Sequence, residues 1–240
     1  MFPKVHENQK QHLYRLHFYH IYIMRKRLIE YRKQFHGEKT RMKQACLILL
    51  FVAYFCPSVC SLTTFQQQFL DVHNEKRRIV NPTAANMREL KWSDELATVA
   101  QNYANKCVSG HNPNKYDEAE SFKRVGENLY YSKDEATPRK AVEFWDNEKN
   151  SYDFGTNNCT HEKTCGHYTQ VVWAETEYVG CAVAFCDPLI REGWSSGYFY
   201  VCNYGERGNM NGDRPYIHES GSTCSQCPSG YSCNNGLCSK

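Results

Sequence analysis

The sequence predicts an α+β fold in which helices pack on an antiparallel sheet, followed by a small module held together by disulfides. Apolar residues recur with helical spacing over residues 64–152, whereas short aromatic and β-branched runs follow residue 166. The last segment, residues 220–240, holds four cysteines and few large apolar side chains, so it cannot build a core of its own. Helices first and strands later are typical of an α+β arrangement.

Three helices are predicted before residue 153. Thr64 is predicted to cap the first, which ends before Asn81-Pro82 because the residue before a proline disfavours helix. The second starts at Ser93, and Gly110 is placed to end it. The third opens at Thr137-Pro138, since proline suits the first helical position. The predicted stripes are Phe65, Phe69, Val72 and His73, then Leu96, Val99, Ala100, Tyr103 and Cys107, and finally Ala141, Phe144, Trp145, Glu148 and Tyr152.

Three strands are predicted in the second half of the chain. Residues 168–173, 178–185 and 197–204 are aromatic and β-branched runs separated by polar turns. No nucleophile elbow and no glycine-rich phosphate loop accompany these runs. The sequence therefore favours a crosslinked scaffold over the common nucleophilic and nucleotide-binding enzyme classes.

The N-terminal segment is predicted to be an export signal. Residues 45–56 form an apolar run of 12, shorter than the roughly 20 residues that span a bilayer. Basic residues precede the run and small residues follow it, as in a signal peptide cleaved after Cys60 or Ser61. Met42 is the expected start, so residues 42–61 form the signal and residues 1–41 have no assigned role. A signal anchor retained in the membrane is the alternative.

Charge and cysteine content support export and argue against nucleic acid. Beyond residue 61 the chain has 18 Lys and Arg against 23 Asp and Glu, so we expect no nucleic-acid partner. We also expect no stable membrane insertion after cleavage. The ten cysteines that remain read as five disulfides in an oxidising compartment, with zinc binding by Cys224-x2-Cys227 as the competing interpretation. They are Cys107, Cys159, Cys165, Cys181, Cys186, Cys202, Cys224, Cys227, Cys233 and Cys238.

Four side chains stand out as a candidate site: His111, Glu127, Glu148 and His167. Two imidazoles and two carboxylates offer nitrogen and oxygen donors that suit a borderline divalent cation such as zinc. Spacing alone does not show that they converge. The alternatives are a polar cluster that fixes helix–sheet packing, and a catalytic acid–base pair.

The motifs around these residues resemble a known family. The segment 166–173, GHYTQVVW, resembles the first hallmark of the CAP superfamily of cysteine-rich secretory, antigen 5 and pathogenesis-related 1 proteins, and YVCNY at 200–204 resembles the second. His73-Asn74-x-x-Arg77 and Gly126-Glu127-Asn128 are similar to two further motifs. All four occur in family order, and the short four-cysteine tail makes the chain most similar to the glioma pathogenesis-related proteins.

The resemblance implies an α-β-α sandwich with a surface cleft over residues 62–219 and a hinge-like cysteine-rich tail over 220–240. It implies that His111, Glu127, Glu148 and His167 form the cleft tetrad, which binds a divalent metal in some members. It also implies the disulfides Cys107–Cys186, Cys159–Cys165, Cys181–Cys202, Cys224–Cys233 and Cys227–Cys238.

The function expected from the resemblance is that of a secreted, extracellular binding protein rather than an enzyme. Its partner would be a protein or a lipid such as a sterol, and zinc or another divalent metal its cofactor. A metal-dependent hydrolase that uses the same tetrad is the rival hypothesis. Asn158, in Asn-Cys-Thr, is a candidate glycosylation site. Gly205-Glu206 departs from the family's usual Gly-Pro, which predicts a freed loop beside the cleft.

Overall fold

The computed structural model describes residues 24–27, 61–189, 194–210, 212–221 and 223–240. The predicted signal peptide and nearly all of the predicted extension lie outside the described residues. Leu62–Lys240 forms one compact unit. No described helix is long and apolar enough to cross a membrane.

The larger unit has five described helices, three of which begin close to the predicted residues. They are α1 (Thr64–Arg78), α2 (Asp94–Ala104), α3 (Lys115–Glu118), α4 (Pro138–Asp146) with a 3-10 turn at Asn147–Ser151, and α5 (Gly166–Val171). Thr63 rather than Thr64 caps α1, in a capping box with Gln66. Ser93 and Thr137 cap α2 and α4 as expected, and Pro138 opens α4.

The main sheet has four strands in the order β1-β5-β6-β2. The strands are β1 (Lys91–Trp92), β2 (Val125–Ser132), β5 (Tyr178–Cys186) and β6 (Gly197–Gly205). Two small sheets pair β3 (Tyr152–Asp153) with β4 (Asn158–Cys159), and β7 (Ser232–Asn234) with β8 (Leu237–Ser239). β6 pairs antiparallel with both neighbours, but β1 is parallel to β5. The expectation of a purely antiparallel sheet was therefore wrong at this short edge strand.

Helices cover both faces of the sheet, which makes the predicted α-β-α sandwich. Side chains along a strand alternate between faces, and β6 shows this clearly. Tyr200, Cys202 and Tyr204 face a core shared with α1, α4 and α5, whereas Phe199 and Val201 face α2. Both cores are closed to solvent at their centres, where Trp145 of α4 and Ala100 of α2 are fully buried.

The predicted strand at 168–173 is instead helix α5. Tyr168, Val171 and Val172 are buried together in the larger core. Their spacing of three and four residues is that of one helix face, so helix packing overrides the strand preference of aromatic and β-branched residues. The sequence likewise gave no sign of β2. The first six of its eight residues are all buried, so the strand lacks the polar–apolar alternation that would reveal it.

Two helix ends differ from expectation. α2 ends at Ala104, and Gly110 instead lies in the following loop with a φ of +100°. α4 ends at Asp146, so Glu148 lies in the 3-10 turn rather than on the helix. Phe144, expected to be buried with Trp145, is 54% exposed. The helix therefore ends, and its buried face ends with it, at the point where the chain reaches the cleft.

The five disulfides connect the pairs that the resemblance implies. Cys107–Cys186 joins the end of α2 to the end of β5, and Cys181–Cys202 crosslinks β5 and β6. Cys159–Cys165 closes the loop before α5. In the tail, Cys224–Cys233 and Cys227–Cys238 use all four sulfurs, so the zinc interpretation of Cys224-x2-Cys227 was wrong.

The cysteine-rich tail packs directly on the larger domain. Leu237 is fully buried within the main core, and Cys238 is also fully buried. Backbone hydrogen bonds join Glu89 N to Cys238 O and Cys238 N to Met87 O. The tail, which has too few apolar residues for a core, thus shares the core of its neighbour.

One buried arginine ties α1 to the loops beneath the sheet. Arg77 is 1% exposed and donates hydrogen bonds to the carbonyl oxygens of Arg88, Val171, Trp173, Ala174 and Thr176. Its five N–H donors serve five carbonyls at once, whereas a lysine ammonium has only three donors. The arginine of the His-Asn-x-x-Arg motif is therefore structural.

Candidate functional site

The first half of the site is a histidine held by a buried glutamate. His111, in the loop after α2, donates from Nδ1 to Glu127 Oε1 over 2.7 Å. The same oxygen accepts a hydrogen bond from Asn112 N at 2.9 Å. The His111 side chain is 57% exposed, whereas that of Glu127 is fully buried. In the orientation that satisfies its amide, Asn203 donates to the other Glu127 oxygen at 3.3 Å.

The second half repeats this arrangement on the opposite side of β2. His167, at the start of α5, donates from Nδ1 to Glu148 Oε1 over 2.6 Å. Glu148 Oε2 accepts from His167 N and Tyr168 N, and Thr164 donates to Oε1. Burial alone would raise the pKa of Glu148, but the hydrogen bonds from His167, Tyr168 and Thr164 together hold it below its ordinary value.

Local covalent and packing constraints position both histidines. The Cys107–Cys186 disulfide anchors the chain four residues before His111, and Cys159–Cys165 ends two residues before His167. A Cβ atom on Gly126 would collide with the buried Gln170 side chain of α5, which hydrogen-bonds Thr176 and Gly208 N. The glycine of the Gly-Glu-Asn motif therefore leaves the space that this side chain occupies.

A buried hydrogen-bond chain supports α5 from below. His73 Nδ1 donates to Phe69 O at 2.8 Å, and Tyr204 donates to His73 Nε2 at 2.9 Å. Asn128 Nδ2 in turn donates to the Tyr204 oxygen and to His167 O. Burial lowers the pKa of His73 to about 4 and raises that of Tyr204 well above its ordinary value, so both stay neutral.

The two histidines lie where two open cavities meet. The first cavity, of about 480 Å³, is bordered by polar and basic side chains, among them Lys115, Tyr116, Arg207 and Asn209. The second, of about 500 Å³, is bordered by Leu129, Tyr130, Tyr131, Phe144 and Trp194. His111, Thr164 and His167 border both. We call these the basic basin and the aromatic basin.

All four predicted site residues thus border one cleft, but as two His–Glu pairs rather than as four equivalent ligands. Among the described residues, the group of three or more potential ligands whose atoms lie within 4.8 Å of one another is Cys224, Cys227 and Cys238, and these are crosslinked. Sequence reasoning missed Lys115, Arg207 and Trp194 as cleft residues. No motif marks them, because they come from separate loops.

The departure at Gly205-Glu206 does not free the neighbouring loop. Glu206 accepts hydrogen bonds from Lys123 N at 3.1 Å and Arg124 N at 2.9 Å, and its own carbonyl accepts from Thr176. The carboxylate thereby fastens two loops to each other at this edge of the sheet. The expectation of a loop released by the missing proline was wrong for this reason.

The family model for the CAP cysteine-rich secretory protein family matches residues 70–204, more than half of the chain. The chain belongs to the CAP family. GLIPR1-like protein 1 of Mus musculus is 42% identical over 187 residues, which are 76% of this chain and 76% of that protein. Peptidase inhibitor 16 of Mus musculus is 44% identical over 174 residues, but they are 72% of this chain and only 33% of the relative.

Solved CAP structures share the fold. NaASP2 with Zn2+ is 29% identical, with a TM-score of 0.56 over 76% of this chain and 99% of that one. Schistosoma mansoni venom allergen-like protein 4 is 28% identical, with a TM-score of 0.55 over 66% and 97%. The predicted CAP membership and α+β class are confirmed. One of the relatives, from Homo sapiens, is named cysteine-rich secretory protein 3.

Proposed function

We propose that this CAP protein is an exported binding protein whose cleft holds a divalent cation and, beside it, an extracellular protein or lipid ligand. His111 and His167 would ligate the cation through Nε2. Glu127 and Glu148, which the sequence predicted as further ligands, would instead orient the histidines from behind. Asn158 remains a candidate glycosylation site on the exposed surface.

The observation that carries the proposal is the use of Nδ1 by both histidines. Each Nδ1 is hydrogen-bonded to a carboxylate, and nothing in the described part of the chain hydrogen-bonds either Nε2 atom. A carboxylate behind an imidazole fixes its tautomer and makes the free nitrogen a better ligand, as in many zinc sites. The donors therefore fit a cation held by two histidines, with its remaining positions open.

A cation bound there would act as a Lewis acid toward a ligand's oxygen atoms. The chain itself would supply rigidity, because a disulfide anchors the backbone shortly before each histidine. The solved structure of one relative, NaASP2, with Zn2+ supports this proposal.

The geometry supports hydrolysis less well than binding. A metal-dependent hydrolase needs a carboxylate free to take a proton from water. Glu148 already accepts four hydrogen bonds, and its lowered pKa makes it a weak base. Glu127 is fully buried behind His111. Neither is placed as a general base.

Calorimetric titration of the secreted chain with zinc chloride tests the proposal. We expect one ion per chain with a dissociation constant below about 1 mM. His111→Ala/His167→Ala should abolish the heat, whereas His161→Ala, which removes a histidine that is 93% exposed, should not change it. Equal binding by the double variant and wild type would refute the site. Zinc-dependent peptide cleavage that the double variant loses would favour the hydrolase instead.

A further inference from the structure

The cleft is chemically divided, with cationic groups on one side of the histidines and aromatic rings on the other. We propose that its ligand is a small amphipathic acid, whose anionic group occupies the basic basin and whose apolar body occupies the aromatic basin. This inference rests on the binding role proposed for the cleft. It adds the class of ligand and the residues that select it.

The basic basin has positive charge without a matching acid. Neither Lys115 nor Arg207 forms an ion pair with any residue in the described ranges. Lys115 Nζ donates to Asn112 O at 2.9 Å, and Arg207 Nη1 donates to the Tyr116 hydroxyl at 3.0 Å. The one carboxylate that borders this basin, Glu127, has a fully buried side chain directed to His111. An anion entering here would therefore meet two cations and no exposed acid.

The aromatic basin presents apolar surface that the fold itself does not cover. Phe144 is 54% exposed at its rim, with its ring 5.0 Å from that of Tyr130. Tyr131 stacks on Phe199 at 4.6 Å, and its hydroxyl accepts a hydrogen bond from Gly110 N, so its ring is held in place. Lys133 Nζ lies 5.4 Å from the Trp194 ring but does not border the basin. Fixed aromatic walls suit a flat or aliphatic apolar group.

The two basins share His111, Thr164 and His167, so one molecule can reach both. Together they enclose about the volume expected for a small-molecule site. The acid of such a ligand would lie next to the free Nε2 atoms, and a bound cation would strengthen its attraction. A neutral molecule of the same shape would gain nothing from Lys115 and Arg207.

Fluorescence titration with 8-anilinonaphthalene-1-sulfonate, an aromatic anion, tests the proposal on the secreted chain. N-phenyl-1-naphthylamine, which lacks the sulfonate, serves as the neutral match. We expect saturable binding of the anion, at least about tenfold tighter than that of the neutral probe. Equal affinity for the two probes, or no saturable binding of the anion with or without zinc, would overturn the inference.

Paired variants locate the binding. Lys115→Gln/Arg207→Gln should lower the affinity for the anionic probe by at least about tenfold and leave the affinity for the neutral probe unchanged. Phe144→Ser should weaken both probes by about threefold or more. The controls are Arg78→Gln/Lys123→Gln and Phe185→Ser, which make the same changes outside both basins. Equal losses of probe affinity in the control variants would contradict the assignment of binding to the two basins.

Competition identifies the apolar body of the acid. Displacement of the probe by 3-phenylpropionate indicates an aromatic ligand, and displacement by octanoate indicates an aliphatic one. Displacement by neither acid overturns the inference. Titrations of the wild-type chain with zinc and with the probe, run side by side, separate the two proposals. Probe binding without any zinc heat would refute only the metal site, whereas zinc heat without probe binding would refute only the amphipathic acid.

Discussion

At the scale of single residues, buried polar groups hold the cleft in place. His73, on α1, packs against β6 and α4, where Tyr204 donates to its ring and the Trp145 ring lies 6.2 Å away. Arg77, one helical turn later, adds a repulsive positive charge if His73 is protonated. The His-Asn-x-x-Arg motif is therefore explained by packing beneath the site rather than by contact with a ligand.

The depressed pKa of His73 predicts acid sensitivity. Burial lowers the pKa to about 4 from the 6.5 of a free histidine, so the unfolded chain binds this proton more readily than the folded one. The contribution of His73 to stability is complete above pH 6.5 and is lost as the pH falls toward 4. Between pH 6 and pH 5 the loss should be about 1 kcal/mol.

Urea unfolding with disulfides intact, at pH 5 and pH 6, measures this loss. His73→Gln should remove about 1 kcal/mol of the difference between the two pH values. His218→Gln, which changes an exposed histidine bonded to Thr83 O, should leave the difference intact. An unchanged pH dependence in His73→Gln would show that the ring is protonated in the folded protein.

At the scale of elements, local signals predicted the starts of α1, α2 and α4 and the strands β5 and β6. These elements depend on caps and on one buried face, both of which are visible along the chain. α5 and β2 were not predicted, because their form depends on each other. Gly126 on β2 leaves room for the Gln170 side chain of α5, and Tyr168 and Val171 of the same helix are buried in the core.

At the same scale, the packing of the tail leads to a prediction about the stability of the domain. Leu237 is fully buried in the core of the larger domain. Leu237→Ala should therefore lower the free energy of unfolding of the whole domain by about 2 to 5 kcal/mol. Urea unfolding followed by tryptophan fluorescence reports on that domain, since Trp145 lies in the same core.

A matched change in the tail provides the control. Asn234→Ala, in the exposed strand β7, should alter stability by less than about 0.5 kcal/mol. If Leu237→Ala left the main transition in place and melted only the tail, the two parts would unfold independently. The shared core would then contribute nothing to the stability of the cleft.

At the scale of the whole molecule, the site exists only because distant segments meet. His111 follows α2, Glu127 lies on β2, and Glu148 and His167 flank the loop that Cys159–Cys165 closes. Two histidines and two glutamates indicated a metal-binding chemistry, and the family motifs indicated that the four side chains meet. The division of roles between ligand and support was not predictable, since it depends on which imidazole nitrogen faces a carboxylate.

That division leads to a prediction about a residue that need not touch the cation. Glu148→Gln removes the negative charge behind His167 but keeps the size of the side chain. The imidazole should then be a poorer ligand, and zinc affinity should fall by about 10- to 100-fold. Glu143→Gln makes the same chemical change on the exposed face of α4, where Glu143 pairs with Arg139, and should leave zinc affinity unchanged.

Calorimetry measures both affinities, and the 15N chemical shifts of the His167 ring report which nitrogen carries the proton. In wild type we expect the proton on Nδ1, directed to Glu148 Oε1. In Glu148→Gln we expect a mixture of tautomers along with the weaker zinc binding. A variant that binds zinc as tightly as wild type would contradict the supporting role of the carboxylate, and complete loss of zinc binding would make Glu148 a direct ligand.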